Sequence, residues 1–171
     1  YAQSPLIIGE VLVSCVLDDN TGLIGLDKTT GELLWKTGPL GTTMSQPSFH
    51  EIKGVPQVLL LSKLSDEVTD GRLSSFSPAD GAPLWSSDIY FNKWPIPTPV
   101  EVREDRLLLT GGYECGSVML QLDGPGDKIT PTELSRLDGG TQIHLPPVVG
   151  DHWFSLRNEH ANDTTRAQRE D

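Results

Sequence analysis

The sequence has no apolar run long enough to cross a bilayer as a helix. Its longest, Leu6 to Leu17, is interrupted at Gly9-Glu10, whereas a helical span needs about 18 or more apolar residues. Cations are scarce as well, with 13 Lys and Arg against 24 Asp and Glu and a net charge of −11. Nucleic acid and anionic membrane surfaces call for clustered Lys and Arg. No such cluster occurs, so both partners are excluded and the acidity is read as solubility. Cysteine is nearly absent. Cys15 and Cys115 lie 100 residues apart, and neither forms a CxxC, which excludes a zinc knuckle or a dithiol redox motif. A disulfide between them stays open beside the reading as two buried free thiols. There is no GxSxG nucleophile elbow. The four histidines, His50, His144, His152 and His160, match no zinc spacing such as HExxH and are read as surface or strand-end residues.

Turn formers are plentiful instead: 17 Gly and 13 Pro in 171 residues, a balance that suits many short strands joined by turns. A proline opens a strand-like run four times, at Pro5, Pro47, Pro99 and Pro147, with spacings of 42, 52 and 48 residues. Proline is tolerated at the first residue of a strand because no ladder hydrogen bond is needed there. A period of that length is that of a four-stranded propeller blade. The units run from about 5 to 46, 47 to 98 and 99 to 146, with an incomplete one from 147 to 171.

The first unit reads as strands over Leu6–Ile8, Val11–Leu17, Gly22–Asp27 and Glu32–Thr37. Its second strand, VLVSCVL, is apolar at nearly every position and is expected to be buried on both faces. The second unit reads as Phe49–Ile52, Gln57–Ser62, Arg72–Ser77 and Ala82–Ser86. The third reads as Val100–Val102, Arg106–Thr110, Ser117–Leu122 and Thr132–Leu137. In the fourth, Pro147–Val149 and His152–Leu156 are legible, and the third and fourth strands are expected to be missing.

GLDKTTGELLWKTGP (Gly25–Pro39) and SFSPADGAPLWSSDI (Ser75–Ile89) repeat a Gly and a Leu-Trp pair at a shift of 50 residues. Gly31 and Gly81 supply the positive φ of a tight hairpin. Trp35 and Trp85 then fall on the outermost strand, where a large ring can lean across to the next sheet. In the third unit Leu134 is taken to replace the tryptophan. The expected fold is therefore all-β: a propeller of four-stranded antiparallel blades, here about three and a half blades of a larger ring. A propeller hides its sheet edges by closing a ring, usually of about four to eight blades. The remaining blades are expected from chain outside this segment or from a second copy. The opening at Tyr1, without Met or a charged leader, fits a segment of a longer protein.

The same stretches, with SPLIIGEVLV and, more distantly, PPVVGDHWFSL, resemble the pyrroloquinoline-quinone-like (PQQ-like) β-propeller repeats. The resemblance covers the first two units well, the third loosely and the fourth through that one stretch. It implies a periplasmic or extracellular setting and a family that includes quinone- and Ca²⁺-dependent alcohol and sugar dehydrogenases and outer-membrane assembly scaffolds. The enzymes of the family hold the quinone on the ring axis with Ca²⁺, an Asp base and often two adjacent cysteines. No adjacent cysteines occur here, so the leading expectation is a non-catalytic module with protein partners and no evident cofactor. Part of a quinone-dependent dehydrogenase is the alternative.

Asn158 and Glu159 offer hard oxygen ligands of the kind Ca²⁺ takes. With His160 they form the densest polar cluster, in a loop that projects onto a propeller face. They are the candidate site residues, together with Tyr113, whose ring is placed toward a central channel. GGYECGS (Gly111–Ser117) has the glycine spacing of a phosphate loop but lacks its Lys, and a tight turn or bulge is the reading. No role is assigned to Trp94 or Trp153. Asn162-Asp163-Thr164 is formally a glycosylation sequon.

Overall fold

The computed structural model describes residues 3–63, 71–90, 94–157 and 166–170. Alternating apolar residues and turn glycines give strands throughout, and no helix occurs among the described residues. The first sheet holds β1 (Leu6–Ile8), β2 (Val11–Cys15), β3 (Leu23–Asp27) and β4 (Leu33–Lys36). The second holds β5 (Ser48–Ile52), β6 (Val55–Lys63), β7 (Gly71–Phe76) and β8 (Pro83–Ser87). The third holds β9 (Val100–Arg103), β10 (Arg106–Gly111), β11 (Gly116–Asp123) and β12 (Thr130–Leu137). The fourth holds β13 (Val148–Val149), β14 (His152–Arg157) and β15 (Arg166–Glu170). Every sheet is an antiparallel meander with its strands in chain order. The fourth thus has a third strand, β15, which the sequence reading omitted. RAQRE carries no apolar alternation in its sequence, and β15 pairs antiparallel with β14.

Two apolar layers join the sheets, and β6 serves both. Val58 and Leu60 face the first sheet and pack with Val13, Leu23 and Trp35. Leu59 and Leu61, pointing the other way as alternation requires, pack with Leu107, Leu109, Val118 and Leu120 of the third sheet. β6 is therefore buried on both faces, as are β7 and β10. The expectation for VLVSCVL fails: in β2 only Val13 is fully buried, and Leu17 leaves the strand with φ of 55°. Among the described residues one face of the first sheet meets a neighbouring sheet, while Ile7 on the other face is 61% exposed. The cysteines also differ from expectation, being free but half-buried, with burial pushing the Cys15 thiol up to about 11.

The two hairpins that opened the repeat have the same construction. Gly31 N–H donates to Asp27 O at 2.8 Å, and Gly81 N–H donates to Ser77 O at 2.9 Å. Their φ angles are 75° and 70°. Past each turn the ladder slips by one residue, at Gly25/Leu26 and at Ser75/Phe76. The slip leaves Leu34 and Leu84 unpaired and sets Trp35 opposite Gly25 and Trp85 opposite Ser75.

Each indole is buried and spans two sheets by its own route. Trp35 lies over Gly25, where a Cβ would strike its ring, and reaches the hairpin of the second sheet. There Nε1–H donates to Pro78 O at 3.1 Å, and the ring fills the space a Cβ on Gly81 would need. Trp85 packs into the layer shared with the third sheet. Its Nε1–H donates to Gln57 Oε1 at 2.7 Å, which also accepts from Ser75 Oγ at 2.6 Å. Gln57 Nε2 in turn donates across the gap to Gly126 O at 2.6 Å.

The third sheet corrects the assignment of Leu134. Its ladder slips at the same place, Met119/Leu120, and the unpaired residue there is Leu134, the counterpart of Leu34 and Leu84. Ser135, opposite Met119, stands where the indoles stand. Leu134 is the bulky neighbour of Ser135, but the register is set by the bulge.

Gly31 and Gly81 share a backbone conformation but not a neighbour, since a Cβ on Gly31 meets nothing within 4 Å. Gly31→Ala should cost about 1 kcal/mol, the strain of a left-handed residue. Gly81→Ala should cost about 2–4 kcal/mol, because the indole of Trp35 must also shift. Urea denaturation of both variants checks the difference, and equal losses would contradict the contact.

Candidate functional site: the connector groove

The chain passes from each sheet to the next through a connector that ends at the strand-opening proline. Residues 42–46, 94–98 and 141–146 are the last parts of the three connectors. Buried hydroxyl groups anchor them. Thr43 Oγ1–H donates to Leu61 O at 2.6 Å, and Ser45 N–H donates to Thr43 Oγ1 at 2.8 Å. The first connector is stitched to the second by Met44 N–H to Pro95 O at 3.0 Å and Ser45 Oγ–H to Pro97 O at 3.2 Å. The third is fixed to its own sheet, with Thr141 N–H donating to Thr110 Oγ1 at 2.9 Å.

The three connectors together line a groove of about 500 Å³. Its walls carry Met44, Ile96, Pro97, Ile143 and Leu145 with Thr43, Gln46 and Thr98, and no charged side chain. Met44, Ile143 and Leu145 are each about half exposed. A rigid backbone bearing apolar side chains that water still reaches is suited to covering by another apolar surface.

Of the residues singled out from sequence, Tyr113 is brought to this region. It sits at φ of 57° in the turn between β10 and β11, and its ring is exposed. Its Oη accepts from Gln142 Nε2, on the third connector, at 2.7 Å. Asn158, Glu159 and His160 lie outside the described residues, as does the sequon at Asn162. Trp94 is also on a connector, 42% exposed, with Lys63 Nζ 5.9 Å from its ring centre. The sequence reading missed the groove side chains. A partial signal was present in two of the connectors, where Met44 and Ile96 each stand three residues before the strand-opening Pro47 and Pro99, whereas Ile143 and Leu145 stand four and two residues before Pro147.

A second cluster lies where the first strands of adjacent sheets meet. His50, on β5, is buried rather than at the surface or a strand end as expected. Its Nε2 is 3.0 Å from Ser48 Oγ, and its Nδ1 is 3.6 Å from Glu101 Oε2 on β9. The second distance is too long for a hydrogen bond. Burial pushes the imidazole down to about 4 despite the nearby carboxylate, so the ring is neutral at pH 7. Burial, then Glu104 and Glu51, holds the Glu101 carboxyl above its ordinary range. With a neutral ring and no hydrogen bond to the acid, this Ser-His-Glu alignment is a packing contact between sheets.

The sign of its pH effect follows. Between about pH 6.5 and 4 the unfolded chain takes up a proton at His50 that the folded chain refuses, so stability falls as pH falls. The loss attributable to His50 is about 3 kcal/mol by pH 4. Glu101 works in the opposite direction, so the readout is the difference between the chain and its His50→Gln variant. Chemical denaturation at pH 7 and 4.5 should show a smaller drop for the variant. Equal drops would mean that the ring is not held neutral.

Among the described residues no group of three or more His, Cys, Asp or Glu side chains comes together as metal ligands. Among the described residues no helix is long and apolar enough to cross a membrane.

No family model and no curated protein matches the chain. Among solved structures, the crystal structure of BamB from Moraxella catarrhalis is similar, with a TM-score of 0.57 at 16% identity. The match covers 91% of this chain and 40% of that one, so the chain spans less than half the length of the protein it resembles. BamB is a β-propeller, and the four sheets described above do not close into a ring. By strand order and by this likeness, the chain is an arc of β-propeller blades.

Proposed function

We propose that the chain is a non-catalytic, PQQ-like propeller module of the cell envelope that binds another protein through the connector groove. The observation that carries the reading is the groove itself, with its apolar, half-exposed side chains presented from a hydrogen-bonded backbone. Its uncharged walls suit a partner segment that offers apolar side chains, since a charged one would lose hydration without gaining a counter-charge. The envelope setting is supported by the likeness in fold to BamB and by the resemblance of the Leu-Trp repeats to a family that includes envelope scaffolds.

Cross-linking in intact envelopes tests the reading. The chain should give a discrete adduct that the Met44→Asp/Ile143→Asp double variant loses by tenfold or more, roughly the effect of losing central contacts at an interface. Circular dichroism of the variant checks that it is folded. An unchanged adduct would remove the groove from the account. Oxidation of an alcohol or sugar after addition of quinone and Ca²⁺ would overturn the non-catalytic reading.

A further inference from the structure

In the gap between the third and fourth sheets, the third sheet's edge strand offers no indole of the kind that Trp35 and Trp85 place in the other two gaps. Ser135 holds that place in the register, and a cleft of about 230 Å³ remains there. Leu108 and Met119 line it from the third sheet, and Trp153, itself buried, lines it from the fourth. Both sheets also leave a buried polar atom unsatisfied. Arg106, on the cleft wall, has its Nε buried with no hydrogen-bond partner. Ser155 is 1% exposed, and its Oγ has no partner either. It lies two residues beyond Trp153 on β14 and so faces the same side of the strand. Orphaned buried donors are rare in folded proteins and costly, most of all on a cation.

We infer that this cleft is a binding site for a small planar aromatic acid. Three features select that class. The slot lies where an indole fits between sheets in the other two gaps, so its shape favours a flat ring. Leu108, Met119 and Trp153 supply apolar and aromatic walls on which a ring can stack. Arg106 Nε–H supplies a charged donor whose natural complement is a carboxylate. The acid at the rim, Asp151, is already paired with Arg103 at 2.6 Å, which reduces its repulsion of an incoming anion. The site is separate from the connector groove and stands whether or not the groove binds a protein.

Isothermal titration of the chain with indole-3-acetate tests the inference, with uncharged 3-methylindole as the control. Indole-3-acetate should bind saturably and more tightly than the control. Arg106→Gln should weaken indole-3-acetate by about tenfold or more, the effect of losing a charged hydrogen bond, and should leave the control unchanged. Met119→Ser/Ser135→Trp rebuilds the arrangement of Trp85 opposite Ser75; it should abolish binding and raise the melting temperature by several degrees. No saturable binding to the unmodified chain at millimolar ligand would overturn the proposal, even if a variant failed to fold. Retention of binding by the folded Met119→Ser/Ser135→Trp variant would overturn the location.

Discussion

Trp35→Ala is expected to destabilise the chain by about 3–5 kcal/mol, the cost of truncating a buried aromatic side chain. The loss has three parts that the structure identifies. The ring leaves the layer of Val13, Leu23, Val58 and Leu60. It uncovers Gly25 and Gly81, both shaped to receive it. It also deprives Pro78 O of its donor. Because Trp35 joins two sheets, the change should loosen the first sheet from the second rather than merely soften one strand. Urea denaturation followed by far-UV circular dichroism gives the magnitude. A loss near zero would show that the ring is not a bridge.

Gln57→Leu is the second large effect, expected at about 3 kcal/mol for a substitution that preserves approximate volume and adds hydrophobicity. Gln57 is fully buried. Its side chain accepts from Trp85 Nε1 and Ser75 Oγ and donates to Gly126 O of the third sheet. Leucine satisfies none of these, and three buried polar groups lose their partner at once. Gln57→Leu and Trp85→Phe should be markedly non-additive, since each removes the same hydrogen bond. Simple additivity would mean that the amide and the indole do not interact in solution.

The sequence carried the repeat because the repeat rests on residues with few substitutes. A left-handed hairpin position takes Gly, a strand opening takes Pro, and a gap between two twisted sheets takes an indole. Strand bounds in the first three units accordingly fall within a few residues of those expected. The failures share a cause, which is that neighbours between sheets are not encoded in local pattern. VLVSCVL is as apolar as the β6 run, yet of the two only β6 has a sheet on each side among the described residues. Ser135 is invisible as a tryptophan counterpart until the bulge sets the register. His50 is flanked by Phe49 and Glu51, and nothing in that triplet reveals that the third sheet covers it. The groove was illegible for a related reason. Its side chains come from three connectors about 50 residues apart, brought together by the radial packing of the sheets.

The central claim is that an indole on the edge strand of one sheet sits on the hairpin glycine of the next. The nuclear Overhauser effect between the Trp35 indole Hε3 and the Gly81 Hα protons measures that contact directly. A strong cross-peak is expected, because Cε3 lies 2.5 Å from the point a Cβ on Gly81 would occupy. Effects from that proton to Gly25 and its own sheet alone, with none to Gly81, would contradict the account.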